Sequence, residues 1–261
     1  MQQRTKIYFI SDVHLGIPPN EKEREQCFVN WLDEVKADAQ KIFLLGDIFD
    51  FWFSYKHVVP RGYVRVLGKL AELTDMGIEI HYAIGNHDMW IFDYFEKEIG
   101  IKTYSKPWDF TYNGKMFLVG HGDGLGKSDK KYNFLKILFS SKICQKLFAS
   151  LHPYIGISLA NFCSKKSRFS HSDFDAKYFG DDKEDITIYC NNAIKDKPYD
   201  YCLFGHRHLV LDKKLGEKTR YINLGEWVTQ KHYAVYDGND ITIKEYTCTN
   251  KKVTQLNLNQ I

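Results

Sequence analysis

The segment KIFLLGDIFD, residues 41–50, decides the fold that we predict for this chain. It opens with a short apolar and aromatic run typical of a buried strand, and the polar cluster Gly46-Asp47-Ile48-Phe49-Asp50 follows at once. Open α/β sheets place their binding sites where strands end. We therefore expect Asp47 and Asp50 to lie at the functional edge of a sheet.

Four further polar clusters also follow apolar strands directly. They are Asp12-Val13-His14, Gly85-Asn86-His87-Asp88, Gly120-His121-Gly122-Asp123 and Gly205-His206-Arg207-His208. Each contains a carboxylate, imidazole or amide oxygen that binds metal ions well. One such cluster alone occurs by chance, and a lone His is more often a satisfied structural residue. Five in the same context indicate a metal site instead, because so many polar groups crowded together need cations to pair them.

The intervening segments predict an α/β fold. Strand patterns cover 6–10, 41–45 and 78–84, and helical patterns cover 21–38 and 63–76 between them. Later strand patterns cover 117–119, 201–204, 220–224, 232–236 and 240–246, and no helix is expected after residue 200. The first half should form βαβ units, and the second half should be antiparallel or mixed. We expect two sheets packed together and flanked by helices.

Residues 127–168 interrupt this pattern. They predict amphipathic helices with a break at Pro153, and carry nine basic residues and one acidic residue, whereas the whole chain has a net charge of only +3. We expect a core of residues 1–126 and 170–261 with a helical cap, 127–169, inserted in it. A basic amphipathic insert suggests contact with an anionic membrane surface or an anionic substrate. A solvated helical face is the alternative.

Composition excludes several classes of protein. Hydrophobic residues make up 44% and charged residues 26% of the 261 residues, as in a soluble globular protein. The six cysteines show neither zinc-ribbon spacing nor the spacing of a disulfide framework, so a reducing cytosol is expected. No signal peptide or membrane-spanning segment is recognisable. No nucleic-acid module and no obligate protein partner are indicated.

The five clusters resemble those of the calcineurin-like metallophosphoesterases, which run D-x-H, G-D-x-x-D, G-N-H-D/E, G-H and G-H-x-H in this order. The resemblance implies a four-layer αββα sandwich and hydrolysis by water activated between two divalent cations, most often Mn²⁺, with Fe²⁺ or Zn²⁺ as alternatives. It places one cation among Asp12, His14, Asp47 and His208, and the other among Asp47, Asn86, His121 and His206. Asp47 would bridge the two. His87 would stabilise the phosphate or protonate the leaving oxygen, with Asp50 orienting its ring.

Within this superfamily the chain looks most like the UDP-2,3-diacylglucosamine diphosphatases of lipid A synthesis. The similarity lies in the GDIFDFW block at 46–52, the helical insert after residue 123 and the short antiparallel tail after residue 208. It implies that water attacks the phosphate on the uridine side and releases UMP and 2,3-diacylglucosamine 1-phosphate. It also implies peripheral attachment to the cytoplasmic face of the inner membrane.

The same resemblance implies a set of substrate contacts. These are Asn86, His87, Asp129, Ser164, Arg168 and His206. Many members of this group carry Arg at the position of His87. Ser164 fits the Ser-x-x-x-Asn-x-x-Lys run that follows the lid, whereas Arg168 and His171 replace its last two polar residues.

Two other functions use the same fold. A soluble nucleotide or phosphoprotein phosphatase, a phosphodiesterase or a nuclease would share the metal centre, and a non-catalytic scaffold would have lost ligands, of which none is missing here. The insert also has two interpretations, a lid that receives acyl chains or a cap that packs on the body. Both predict buried Leu and Phe side chains, but only the lid predicts an apolar cavity beside the metals.

Overall fold

The chain folds around two mixed β-sheets. The computed structural model describes residues 4–126, 130–175 and 177–248, and describes 130–133 and 165–175 by their backbone alone. The strands are β1 (Lys6–Ile10), β2 (Ala39–Leu44), β3 (Glu79–Ala83), β4 (Lys102–Tyr104), β5 (Trp108–Tyr112), β6 (Lys115–Val119), β7 (Tyr201–Phe204), β8 (Val210–Leu215), β9 (Thr219–Leu224), β10 (His232–Tyr236) and β11 (Ile241–Glu245). The helices are α1 (Glu21–Val35), α2 (Val64–Asp75), a π-helical turn (Phe95–Ile99), α3 (Lys130–Ser140), α4 (Lys142–Ser150), α5 (Pro153–Asp175) and α6 (Asp185–Asp196).

Each sheet combines parallel and antiparallel pairs. The first has the order β11-β10-β1-β2-β3-β4, in which β1 to β4 are parallel and β10 and β11 form an antiparallel hairpin beside β1. The second has the order β5-β6-β7-β9-β8, with three parallel strands flanked by an antiparallel strand at each edge. The carboxyl ends of β1, β2 and β3 therefore meet at one edge, and those of β6 and β7 meet in the other sheet.

Three apolar clusters separate four layers. Between the sheets, the ring of Phe9 lies 6.2 Å from that of Phe117, and the ring of Phe43 lies 4.7 Å from that of Phe110. A second cluster buries α1 and α2 against the outer face of the first sheet. A third buries α6 against the second sheet. This arrangement confirms the predicted αββα sandwich.

Five elements were not predicted from the sequence, namely the π-helical turn, β4, β5, β8 and α6. β8 has the sequence VLDKKL, in which charged residues dilute the apolar signal, because an edge strand exposes much of its surface. α6 has the sequence DITIYCNNAIKD, whose β-branched and Asn residues have low helix propensity. Burial of Ile186 and Cys190 stabilises this helix instead. Tertiary packing therefore overrides local preference in both segments.

Three helices, α3, α4 and α5, lie between β6 and α6 in the chain, and α5 continues to Asp175, beyond residue 169 where the predicted cap ends. Phe148 of α4 packs on Trp90 and Phe53 of the body, with ring distances of 4.5 Å and 4.8 Å. The Trp90 indole also donates a 2.8 Å hydrogen bond to the carbonyl of Phe139 at the end of α3. These contacts hold the insert, which we call the lid, against the body.

The prediction that the apolar lid residues are buried is wrong. Phe148 is half-buried, but Leu147 is 65% exposed and Phe162 is 66% exposed. The same holds for Leu135, Leu138, Phe139, Ile155 and Leu159. The contacts with the body therefore cover only part of the apolar surface of these helices.

One cysteine pair was not anticipated from the sequence. Cys27 of α1 and Cys248, which follows β11, form a disulfide. They are 221 residues apart, so no local spacing reveals the pair. They meet because both segments pack on the same face of the first sheet, where the Tyr246 hydroxyl donates a 2.6 Å hydrogen bond to Glu34 of α1.

None of the described helices combines the length and the apolar character that crossing a bilayer requires.

His81 of β3 should make stability depend on pH. Burial lowers the pKa of its imidazole to about 4, from an ordinary value of 6.5, so the folded chain resists a proton that the unfolded chain accepts. The contribution of His81 to stability is therefore fully present above pH 6.5, the pKa of His in the unfolded chain, and is lost as the pH drops towards 4. In urea unfolding, the free energy of unfolding should fall between about pH 7.5 and pH 5 by about 2 kcal/mol less in His81→Phe than in the wild type. The exposed His57→Phe is the control, and equal losses in His81→Phe and wild type would refute this interpretation.

Candidate metal centre and active site

The five polar clusters converge where the two sheets meet. Asp12 and His14 follow β1, Asp47 follows β2, and Asn86 follows β3. His121, His206 and His208 follow β6 and β7 of the other sheet. Backbone hydrogen bonds fix neighbouring loops to each other, such as that from Asp12 N to the Gly46 carbonyl (3.0 Å) and that from Gly205 N to the His121 carbonyl (2.9 Å). All seven predicted ligands therefore lie at one edge of the sandwich.

Asp12, His14 and His208 form the first ligand group. The Nε2 atoms of the two imidazoles lie 3.2 Å apart, and His208 Nε2 lies 3.2 Å from Asp12 Oδ1. His14 Nε2 also lies 4.0 Å from Asp47 Oδ2. These donor atoms face one shared point.

Asp47, His121 and His206 form the second ligand group. His121 Nε2 lies 3.3 Å from Asp47 Oδ2 and 3.2 Å from Asn86 Oδ1. His121 Nδ1 lies 2.8 Å from the Leu45 carbonyl, to which it can donate only as N–H. This hydrogen bond fixes the orientation of the ring and leaves Nε2 facing Asp47 and Asn86. Asp47 thus lies between the two groups.

The donor set fits two divalent cations. Asp12 Oδ1 is buried with no well-aligned hydrogen-bond donor among the described residues, although His208 Nε2 lies 3.2 Å away. Two imidazole nitrogens at 3.2 Å repel each other unless a proton or a cation lies between them. Five predicted ligands, Asp12, His14, Asp47, His206 and His208, also have positive φ angles between 48° and 69°. Such backbone is uncommon outside glycine and often marks a functional constraint.

A third group lies beside the first. His87 Nδ1 lies 3.3 Å from Asp50 Oδ1 and 3.0 Å from the Asp50 carbonyl. The hydroxyl of Ser164, on lid helix α5, donates a 3.0 Å hydrogen bond to Asp50 Oδ2 and lies 3.2 Å from His87 Nδ1. All of these contacts to His87 involve Nδ1 of its ring. The lid therefore reaches the predicted catalytic pair directly.

The remaining predicted substrate contacts are less well defined. Arg168 lies on α5, where the structure describes only the backbone. Asp129 lies outside the described residues.

Comparison with known proteins identifies the family. The family model described as calcineurin-like phosphoesterase matches residues 5–210. The chain belongs to this family. The predicted family, and with it the prediction of a metal-dependent hydrolase, is confirmed.

Similar proteins match most of the length of this phosphoesterase. A UDP-2,3-diacylglucosamine hydrolase from Porphyromonas gingivalis is 37% identical, over 92% of this chain and 97% of its own length. A UDP-2,3-diacylglucosamine hydrolase from Haemophilus influenzae is 27% identical, over 87% of this chain and 92% of its own length. Among solved structures, a dimetal phosphatase from Danio rerio has a TM-score of 0.51 at 14% identity, covering 94% of this chain and 97% of that one. This last similarity shows the fold alone.

Electrostatics of the phosphoesterase site suit cation binding. Burial lowers the pKa of His206 to about 4 and also lowers that of His14, so both imidazoles are neutral near pH 7 and keep a lone pair. Burial raises the pKa of Asp47, but the neighbouring His121 and His87 outweigh burial and lower it well below its ordinary value. The bridging carboxylate is therefore ionised.

Two glycines of the phosphoesterase motifs are required for close approach. A Cβ on Gly85 would collide with Asp47, 2.7 Å from its backbone nitrogen, and one on Gly205 would collide with Asp12 and Ser11. These two glycines have no positive φ. Their missing side chains allow the ligand loops of neighbouring strands to touch. Many motif glycines instead provide a positive φ angle for a tight turn.

Two residues hold the ligand loops in place, Asp88, which the sequence predicts to orient nearby ligands, and Asn223, which it does not single out. Asp88 accepts hydrogen bonds from Ile48 N (2.9 Å) and Gly85 N (2.8 Å). It thereby links the loop after β2 to the loop after β3. Asn223 donates a 2.6 Å hydrogen bond to the Gly205 carbonyl. Asp88 stands in a recognised motif, but Asn223 comes from β9, so only the fold reveals its role.

Arg207 holds the last ligand loop from the other side. Its guanidinium donates to Glu184 at 2.8 Å and 3.1 Å and to the Lys177 carbonyl at 2.8 Å. Both charged side chains are buried. Since His206 and His208 flank Arg207, this ion pair connects their loop to the segment that returns from the lid.

Proposed function

We propose that this phosphoesterase hydrolyses the pyrophosphate bond of UDP-2,3-diacylglucosamine and releases UMP and 2,3-diacylglucosamine 1-phosphate. The observation that carries the proposal is the 37% identity to a UDP-2,3-diacylglucosamine hydrolase over 92% of the chain, which spans the lid as well as the core. The exposed apolar surface of the lid supports a lipid substrate over a soluble nucleotide or phosphoprotein. The presence of all seven predicted ligands at one edge disfavours a scaffold.

Two divalent cations, Mn²⁺ by preference and Fe²⁺ or Zn²⁺ otherwise, would complete the site. Asp12, His14, Asp47 and His208 would hold one, and Asp47, Asn86, His121 and His206 would hold the other. When bound, such a pair lowers the pKa of a water molecule towards neutrality and offsets the charge of the phosphate. The mixture of carboxylate, imidazole and amide donors suits these metals better than Ca²⁺.

His87 would act as the general acid. Asp50 and Ser164 fix its ring through Nδ1, so Nε2 can donate a proton to the oxygen that leaves with the lipid product. Burial lowers the pKa of His87, but Asp47 and Asp50 outweigh burial and raise it to about 9, which favours the protonated form near pH 7. The lipid phosphate would then leave in a protonated form, which carries less negative charge than the unprotonated phosphate.

The substrate would lie between the body and the lid. Asn86, His87 and His206 would contact the phosphates, and Ser164, Arg168 and Asp129 would contact the acylated sugar. We propose residues 127–169 as the lid and residues 1–126 and 170–261 as the core. The exposed Leu and Phe side chains of α3 to α5 would meet acyl chains or the membrane that supplies them.

The lid would also attach the enzyme to the cytoplasmic face of the inner membrane. Ile143, Leu147 and Phe162 expose large apolar side chains, and Lys142 and Lys146 are exposed on the same helix as the first two. A helix with this combination binds in the interface of anionic bilayers through apolar burial and charge attraction.

The substrate assignment is tested with purified protein and Mn²⁺. UDP-2,3-diacylglucosamine should yield UMP and the lipid phosphate, identified by mass spectrometry, at a kcat/KM at least about a hundredfold above that for bis-nitrophenyl phosphate, because only the lipid substrate engages both halves of the site. Equal or faster turnover of the soluble ester would reject the assignment and favour a general phosphodiesterase.

The role of His87 is tested by His87→Ala. Loss of a general acid should lower kcat by about 10² to 10⁴-fold, while bound Mn²⁺, measured by plasma mass spectrometry, stays at the wild-type level. The exposed His57→Ala should change neither quantity. If His87→Ala lost metal as well, His87 would be a ligand and not the acid.

Membrane attachment is tested by vesicle flotation. The protein should bind vesicles rich in phosphatidylglycerol and bind phosphatidylcholine vesicles weakly. Charge reversal in Lys142→Glu/Lys146→Glu should weaken the first interaction by more than about tenfold, since each lysine near an anionic surface contributes about 1 kcal/mol. The double variant Lys195→Glu/Lys218→Glu, at exposed positions outside the lid, is the matched control. Equal binding of all three proteins would argue against a lid-mediated contact.

A further inference from the structure

A cleft of about 250 Å³ opens beside the second ligand group. His121 forms part of its wall, together with the loop after β6 and residues 104–107, which run from the end of β4 to the start of β5. Lys136 of lid helix α3 closes one side, where its ammonium lies 2.5 Å from Asp123 Oδ2. The cleft therefore borders the proposed cations directly and is covered in part by the lid.

The two ends of the ligand cluster differ. At one end, His87 and Asp50 face Ser164 on lid helix α5. At the other end, His121 faces the cleft. On the proposed function, His87 protonates the oxygen of the lipid product, so the acylated sugar lies at the α5 end. The nucleoside attached to the other phosphate is then directed towards His121.

The cleft also has the chemistry of a nucleoside site. Its volume lies below the roughly 300 Å³ at which pockets for larger ligands begin, which suits one base and sugar and not a pair of acyl chains. Tyr104 provides a fixed planar wall, because its ring stacks on Trp108 with centroids 3.9 Å apart and its hydroxyl lies 3.2 Å from His81 Nδ1. Because this ring is already fixed, binding of a flat base against it costs no side-chain entropy.

Polar groups at the rim complement a pyrimidine nucleoside. Ser105 and Lys106 are exposed on the loop after β4, and no carboxylate of the described residues lies within ion-pairing distance of Lys106. Their hydroxyl and ammonium groups can donate to the carbonyl oxygens of uracil or to ribose hydroxyls. We propose that this cleft is the nucleoside subsite, which holds the uridine half of the substrate while the lid holds the acylated half.

A larger cavity of about 550 Å³ is a poorer candidate. It lies between residues 53–56, residues 92–98 and α4, and none of the predicted metal ligands lines it. A nucleoside bound there would be separated from the phosphate that it carries. Proximity to the ligands therefore decides in favour of the smaller cleft.

Calorimetric titration of the Mn²⁺-loaded protein with UMP and with inorganic phosphate tests the subsite without requiring turnover. Both ligands present a phosphate to the cations, but only UMP carries a nucleoside. The wild type should bind UMP at least about tenfold more tightly than phosphate. Ser105→Trp, which fills the cleft, and Lys106→Glu should each remove most of this difference while phosphate affinity stays within about twofold of wild type.

Lys102→Glu is the matched control, because Lys102 is an exposed lysine of the adjoining strand β4 that does not line the cleft. It should leave the affinity for UMP unchanged. The subsite is overturned if wild type binds UMP no better than phosphate, or if both cleft variants bind UMP like wild type. Failure of the substrate assignment would appear separately, as absence of UDP-2,3-diacylglucosamine hydrolysis by wild type.

Discussion

Burial of negative charge at the meeting edge of two sheets is the constraint on which the rest of the structure depends. Asp12 and Asp47 are almost fully buried, and Asp50 and Asp88 lie close by. Removing ionised carboxylates from water costs several kcal/mol each unless opposite charges or hydrogen bonds compensate. Backbone amides, imidazoles and, in our account, two cations provide that compensation. The left-handed backbone of five predicted ligands indicates that local strain is tolerated to keep these groups together.

The sandwich explains how residues far apart in sequence meet. Parallel strands place consecutive loops at one edge of each sheet, and the apolar layer between Phe9, Phe43 and Phe117 fixes the two edges relative to each other. Glycines such as Gly85 then permit contact between neighbouring loops. Substitutions in this layer should therefore affect the site as well as stability. The lid adds a third component, since Ser164 and Lys136 reach the two ends of the cluster from different helices.

Much of the site was predictable because each cluster lies in a short motif beside a strong strand pattern. Asp47 and Asp50 follow a continuous apolar run, and the same holds for His206 after β7. Residues whose roles depend on tertiary contacts gave no such signal. Asn223 supports the last ligand loop from β9, and Glu184 at the start of α6 pairs with Arg207 of that loop. Neither Asn223 nor Glu184 stands in a recognisable motif.

Two features that depend on what packs against a segment were not predicted correctly. They are the exposure of the apolar lid side chains and the pairing of two distant cysteines. Apolar spacing in the lid was correctly read as helical, but the pattern does not say whether a neighbouring layer exists to cover Leu147 or Phe162. The Cys27–Cys248 pair joins α1 to the segment after β11, a contact that only the completed sheet creates. Local sequence therefore specifies elements and motifs better than it specifies what covers them.

The central claim is that the converging side chains hold two cations bridged by Asp47. Crystals grown with Mn²⁺ and measured at the manganese absorption edge test it most directly. We predict two anomalous peaks roughly 3.5 to 4 Å apart, one beside His14 and His208 and one beside Asn86 and His121, with Asp47 touching both. Crystals of Asp47→Ala should lose at least one of them. A wild-type map with no peak among these residues, or with one peak that Asp47 does not contact, would contradict the account.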